Sequence, residues 1–521
     1  AVLSGVNRQL KPEEYLWYKR RLPDEVKPEK GSRWILHFGA VDQCAVVYIN
    51  GKKQGKHVGG YLPFSYDITE ALKEEKNLLT VKVRDYSETC YYSRGKQKLK
   101  NGGMFYTAQS GIWQTVWIEK VPECYIGHLK ITPLYDQSSI MIQMEEEHGI
   151  KDIDYEVTIT ARKMWPVKAS GKTGKPCVIM IPHMRSWSPE DPFLYDLHVR
   201  MGEDSVESYF AMRKVEVKND KEGIPRIFLN NEPYFEKGVL DQGYWPDGLY
   251  TPPCDEAMIY DIQKMKDLGF NMIRKHIKIE PQRWYYHCDR IGMLVWQDMV
   301  NGGRDYKSWY VTYMATAMEG MHIRAKDTRI HLMGRQDPAG QRQFEKEMKE
   351  TLRLLYNHPS IVTWVIFNEG WGQFQTKKMT DIVRAEDPYR LTDSASGWFD
   401  QGCGDIRSIH DYFFPLHVTP EKRVTALTEF GGYSLQIPKH SMYEKKVYGY
   451  KKFKRKRELT AGYEKLIKKL IIPNIRRGLS ATVYTQLSDI EEEVNGIISY
   501  DRKIVKMDEK TVKKLNEKLH F

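Results

Sequence analysis

Cysteine is sparse and unordered in this sequence. Seven residues at 44, 90, 124, 177, 254, 288 and 403 are scattered over 521, with no C-x-x-C spacing. That pattern excludes a disulfide framework or a zinc ribbon and suits reduced thiols in a cytoplasmic chain. Long apolar runs are missing as well. No stretch of 18 apolar residues and no signal-peptide pattern occurs, so neither a membrane span nor a membrane partner is expected. Internal repeats and Gly/Ser linkers are absent. The first residue is Ala, not Met, which leaves open a processed, trimmed or incomplete N-terminus.

Acid is absent from one segment. Between Lys445 and Arg457 there are eight Lys/Arg and no Asp or Glu, a local +8 within a formal charge of +11. So local a run reads as a solvated loop, or as a basic loop beside an active site that meets an acidic substrate. It says less about nucleic acid than a basic face spread over a whole domain would, and no nucleic-acid partner is expected.

What is present is enough for several packed domains: 41% hydrophobic and 12% aromatic residues over 521 positions. Residues 1–121 read as short strands, among them Trp34–Asp42, Ala45–Lys52 and Leu78–Asp85, with Asn50-Gly51 as a hairpin signal. This fits a jelly roll. Residues 122–218 contain further strands at Tyr155–Ala161, Cys177–Ile181 and Leu194–Val199, a length suited to an immunoglobulin-like sandwich. From 219 to 521 the pattern becomes alternating. Helices are expected at Cys254–Leu268, 341–356, 375–386 and 460–472, the last stopped by Pro473. Strands are expected near 235, after Gly269, and at 292–298, 361–369, 391–397, 405–412, 424–430 and 480–487. About eight strands in βα units favour a (β/α)₈ TIM barrel over a doubly wound sheet. The fold class is therefore multidomain β plus α/β.

Strand after strand in the barrel half ends in a polar residue: Arg274 and His276, Asp298, Asn368 and Glu369, Asp393, Asp411 and Tyr412, Glu429. The C-terminal ends of barrel strands are where such enzymes keep their chemistry, and a ring of polar groups there suits a polyhydroxylated ligand. Glu369 ends the unbroken apolar run Ile361–Phe367, and Glu429 lies in Leu427-Thr428-Glu429-Phe430-Gly431. Cleaving an acetal needs one carboxylic acid and one carboxylate, roughly 5 Å apart when configuration is retained. Strands four and seven face each other across a barrel mouth and could bring this pair together.

Asn357-His-Pro-Ser…Asn368-Glu369, Thr428-Glu429-Phe430-Gly431, Gly269-Phe-Asn-Met-Ile-Arg-Lys-His276 and Leu294-Val-Trp-Gln-Asp298 together resemble glycoside hydrolase family 2, the β-galactosidase, β-glucuronidase and β-mannosidase group. The resemblance covers nearly the whole chain, including the two β domains. It implies Glu369 as general acid/base and Glu429 as the nucleophile that forms a glycosyl-enzyme. It further implies Asn368 at the sugar 2-hydroxyl, Tyr412 as a phenol donor to Glu429, and Arg274 and His276 below the sugar. Asp298, Asp393 and Trp398 complete the substrate-binding set. No cofactor or metal is implied. The expected function is a retaining exo-β-glycosidase, β-galactosidase-like, acting on an oligosaccharide or glycoside. A β-uronidase and a non-catalytic carbohydrate-binding protein are the alternatives, and homo-oligomerisation is left open.

Three features depart from the family. The opening jelly-roll strands are expected to be missing, which would leave an exposed sheet edge or a gap. The chain stops soon after the eighth strand, without the further β domains of the large β-galactosidases. The Asn-x-Lys pair with which β-glucuronidases of the family grip the sugar carboxylate also has no counterpart, since there is no Asn between Glu429 and Pro473. Position 410 is His where glucuronidases tend to have Asn. The acid cluster in Thr485–Gly496 reads equally as pocket lining or as solvated surface.

Overall fold

The computed structural model describes residues 8–321, 323–413, 415–444 and 447–521; the first seven residues, and Lys445 and Lys446 of the basic run, lie outside them. The first β domain packs a four-stranded sheet (Leu16–Arg21, Leu78–Arg84, Cys44–Ile49, Lys52–Val58, in that order) on a three-stranded one (Val116–Pro122, Ser32–Phe38, Phe64–Asp67). Leu36, Phe38, Val47, Val81 and Val83 fill the space between, and Asn50-Gly51 makes the expected turn with both φ angles positive. The first described strand is one that the sequence reading did not mark, and it lies at the edge of its sheet. Leu16–Arg21 pairs antiparallel with Leu78–Arg84. Its sequence, LWYKRR, hides the strand because it is an edge: one face packs and the other carries charge.

The second domain is a sandwich of Ile126–Leu134, Ser139–Glu146 and Cys177–Met180 against Val167–Lys172, Asp154–Thr160, Tyr195–Met201 and Asp204–Phe210. Alternate residues such as Ile140, Ile142, Val157, Ile159, Leu197 and Val199 supply its core.

The barrel strands are β1 (Glu236–Asp241), β2 (Met272–Lys275), β3 (Leu294–Asp298), β4 (Ile361–Val365), β5 (Leu391–Asp393), β6 (Ile406–Asp411), β7 (Val424–Gly431) and β8 (Leu479–Thr485). All pairings are parallel, in the order β5-β4-β3-β2-β1-β8-β7-β6. The seam between β5 and β6 is drawn together by Asp405 N donating to Thr392 O (2.8 Å) and by a short bond from the Ser408 hydroxyl to Asp393. The barrel is nearly closed. Its helices include α1 (Asp255–Asp267), α2 (Gln282–Ile291), α3 (Pro338–Leu355), α4 (Thr376–Glu386), α5 (Lys456–Leu466) and α6 (Glu509–Asn516). Helix α3 starts earlier than periodicity suggests because Pro338 sits in its first turn, where a missing N–H costs nothing. Pro473 does not stop the later helix. After α5 the chain passes through a π-helical stretch, Ile467–Ile471, into a short helix, Ile472–Ile475, whose opening positions hold that proline. Among the described residues, no helix is long and apolar enough to cross a membrane.

The Asn357-His358-Pro359-Ser360 break does structural work at the bottom of β4. The Asn357 side chain accepts from Ile131 N (2.8 Å) and donates to Leu129 O (2.6 Å) on the sandwich. His358 Nδ1 lies 2.8 Å from Asp289 Oδ2, and Ser360 N donates to Asp289 Oδ1 at 2.8 Å. Arg213 donates to the carbonyls of Pro359 and Ile361. These bonds fix where β4 begins, and therefore where it delivers Asn368 and Glu369.

Candidate active site

Strand β4 runs out at Val365, but loose pairing carries the chain on. Ser396 N donates to Phe367 O (2.8 Å) and Glu369 N to Ser396 O (3.0 Å). Glu369 has φ +52°, a left-handed conformation that a glutamate rarely adopts and that costs energy unless its surroundings impose it. Strain of this sort gathers at functional positions.

Opposite, β7 delivers Glu429. An oxygen of Glu369, a nitrogen of His410 and an oxygen of Glu429 all lie within 4.8 Å of one another. His410, on β6, stands between the carboxylates. Its Nδ1 is 2.9 Å from Glu369 Oε1, while Nε2 is 3.0 Å from Ser396 Oγ and 3.7 Å from Glu429 Oε1. Ser396 Oγ in turn donates to Thr428 Oγ1 at 3.0 Å. These three side chains are also the one set of carboxylate and imidazole donors, among the described residues, close enough to share a cation. An ion there would take the space between the two glutamates.

Glu429 is held from both sides. Arg274 donates to Oε1 (3.2 Å) and Tyr412 to Oε2 (2.5 Å). Arg274 is fully buried and wholly engaged: it pairs bidentately with Asp298 (3.0 Å for each bond), bonds Thr428 O and donates to Asn368 Oδ1 (2.9 Å). His276 Nδ1 lies 2.8 Å from Asp298 Oδ2. Burial pushes the Glu429 carboxyl up, but His410, Arg274, His276 and Lys96 together outweigh it and hold the group down at about 2. Its folding contribution is complete above the ordinary value near 4.5 and is lost as pH falls toward 2. The group is thus a carboxylate at any neutral pH.

With Asn368 Oδ1 turned to Arg274, its amide Nδ2 is buried with no partner among the described residues. A buried donor left unmade is costly, and this one lies beside the two glutamates. Asp393 is placed differently. Its Oδ2 accepts from Ser408 in the β5–β6 seam, and burial raises the group to about 6. Trp398 meets the His410 ring edge-on at 6.1 Å. Arg274, His276, Asp298, Asn368, Tyr412 and the two glutamates thus form one bonded cluster, which Trp398 touches through His410.

Sequence reasoning missed several neighbours. Tyr450 stacks on Tyr412 at 3.9 Å, where Gly432 leaves room: a Cβ there would sit 2.3 Å from the Tyr450 ring. Trp371 stacks between Phe105 (5.7 Å) and Tyr306 (5.4 Å). The acid cluster is neither solvated nor loose. Glu491 accepts from Thr107 N and Asn101, Glu492 from Gly103 N, and Glu493 from Tyr106 and Asn495. These bonds clamp a loop of the first β domain, carrying Lys96, onto the barrel mouth. The described cations of the basic run are solvated, the first of the two readings given above, and what the run turns inward is rings. Tyr448 and Tyr450 point inward, while Lys451, Lys452, Lys454, Arg455, Lys456 and Arg457 are exposed.

Three family models match successive segments: the family 2 sugar binding domain over 9–122, the family 2 domain over 124–213 and the family 2 TIM barrel domain over 254–429. The chain belongs to glycoside hydrolase family 2. A protein from Formosa agariphila named a putative β-glucuronidase is 24% identical over 72% of this chain and 44% of its own length. A β-galactosidase from Thermoanaerobacter pseudethanolicus is 24% identical over 80% and 54%. The chain spans about half the length of the curated relatives it matches. Among solved structures, a β-glucuronidase from an uncultured Clostridium sp. shares the fold with TM-score 0.73 and 17% identity, covering 96% of this chain and 87% of that one. A galacturonate-bound β-galacturonidase from Eisenbergiella tayi does so with TM-score 0.69 and 19% identity, covering 99% and 91%.

Proposed function

We propose that the chain is a retaining exo-β-glycosidase working by double displacement. The observation that carries this reading is the approach of Glu369 and Glu429 to within 4.8 Å at the mouth of one barrel. That spacing suits attack by one carboxylate and leaves no room for a water between the two, as inversion would need.

In the first step Glu429, already ionised, attacks the anomeric carbon while Glu369 gives its proton to the glycosidic oxygen. The C1–O bond breaks, the aglycone leaves as an alcohol, and the sugar is esterified to Glu429. In the second step Glu369 takes a proton from water, whose oxygen attacks C1 and frees Glu429. Tyr412 and Arg274 hold one oxygen each of the nucleophile, and Asn368 Nδ2 is the free donor for the sugar 2-hydroxyl. His410 keeps a Glu369 oxygen turned toward the same centre.

The names of the relatives divide between β-glucuronidase and β-galactosidase. They favour a β-glycoside, and both the neutral galactoside and the uronide remain readings of the glycone. A purely carbohydrate-binding role has no use for two glutamates brought so close. Proton NMR of the first product formed from an aryl β-glycoside tests the mechanism. The β-anomer is expected before mutarotation; the α-anomer would mean inversion.

A further inference from the structure

Four buried lysines occur among the described residues: Lys96, Lys275, Lys278 and Lys506. Three are matched by carboxylates. Lys275 pairs with Asp241 and Glu280, Lys278 with Glu280, and Lys506 with Asp489. Lys96 differs. It is 8% exposed, yet its ammonium makes no ion pair or hydrogen bond with any described residue. Its flanking cations do not share this: Arg94 and Lys98 both reach Asp305, at 3.5 and 3.7 Å. The Lys96 stem is buried while the nitrogen reaches solvent, so the ammonium is open to an anion and no carboxylate of the described residues takes it.

The surroundings say where that anion sits. Lys96 Nζ lies 5.5 Å from the ring centroid of Trp371, two residues beyond Glu369, and 6.0 Å from that of Tyr106. The backbone is pinned, with Lys96 O accepting from Tyr106 N at 3.0 Å. The nearby acids of the clamp make no ion pair with it; Glu491 and Glu493 bond instead to Asn101, Thr107, Tyr106 and Asn495. Its charge also reaches the pocket floor, where it helps hold Glu429 ionised and His276 neutral.

We infer that Lys96, delivered by the first β domain, is the receptor for a negatively charged substituent on the sugar in the Glu369–Glu429 pocket: a uronic-acid carboxylate, or a sulfate ester on the same sugar. This rests on reading the barrel mouth as a glycoside-cleaving site. It assigns the recognition of charge to a loop of another domain, while the described cations of the 447–457 run face solvent. A neutral glycone would leave the ammonium without a counter-charge; an anionic one makes a charge-assisted hydrogen bond.

The test compares wild type, Lys96→Met and Lys96→Arg on aryl β-galacturonide, β-glucuronide, β-galactoside and 6-sulfo-β-galactoside. Wild type is expected to prefer a charged glycoside. Lys96→Met should lose about 10²-fold more in kcat/KM on it than on a neutral glycoside, whose smaller loss reads the weakened hold on Glu429. Lys96→Arg should keep part of the preference, and the charged arm that responds tells carboxylate from sulfate. Equal losses on charged and neutral sugars would make Lys96 only a tuner of Glu429 and overturn the inference. So would a wild type that prefers the neutral galactoside. If Lys96→Met fails to fold, Lys96→Gln takes its place. If wild type cleaves nothing, the hydrolytic reading falls, and calorimetry with galacturonate and galactose decides separately. Lys96-dependent binding of galacturonate alone upholds the receptor; equal or absent binding of both removes it.

Discussion

Glu429→Gln is expected to lower kcat by about 10⁴-fold or more, on the scale of losing one member of a cooperating catalytic group. The amide matches the carboxylate in shape but cannot form the ester to C1. The surrounding frame does not depend on it, since Arg274 keeps its bidentate pair with Asp298 and its bond to Asn368. The variant should therefore fold, with circular dichroism like wild type, and still bind a product sugar. A cooperative melt well above the assay temperature together with lost turnover separates chemistry from collapse. Turnover within tenfold of wild type would place the nucleophile elsewhere.

Glu369→Ala has the second largest expected effect, and its size depends on the leaving group. An alkyl aglycone departs as a poor anion and needs the proton, so its rate should fall by about 10²–10⁴-fold, the usual worth of general acid catalysis. A dinitrophenyl aglycone departs unaided, so its first step should fall by less than about tenfold. The second step still lacks a base, and the glycosyl-enzyme should accumulate. Added azide, which needs no base, should speed that step and yield a β-glycosyl azide. Equal slowing of both aglycones would show that the proton comes from another group, with His410, 2.9 Å from Glu369, the first to examine.

Much of this was legible in the sequence, for physical reasons. A β-branched run such as Ile361–Phe367 that stops on Asn-Glu reads as a strand buried on both faces that ends in polar side chains, and it forms β4 with Glu369 just beyond its end. Tyr412 and Arg274 were legible through the resemblance, and the structure shows them on the two oxygens of Glu429. What escaped depends on contacts distant in sequence. Nothing in Ser93-Arg94-Gly95-Lys96 marks one of its cations as destined for the barrel; only the clamp from Glu491, Glu492 and Glu493 does so. The edge strand Leu16–Arg21 escaped because charge hides its alternation. The lysines after 450 drew attention as a charge run, whereas the inward residues beside them are tyrosines. Local patterns carry periodicity and strand ends; they do not carry which loop of one domain closes the pocket of another.

The barrel mouth stands as an active site only if one glutamate bonds to the sugar. Incubation with a 2-deoxy-2-fluoro β-glycoside of an accepted sugar, bearing a dinitrophenyl leaving group, slows the second step more than the first and lets that bond be weighed. Intact mass should rise by one fluorosugar, and peptide mapping should place it on Glu429. A label on Glu369 or elsewhere, or substrate turnover with no covalent adduct, would contradict the double displacement.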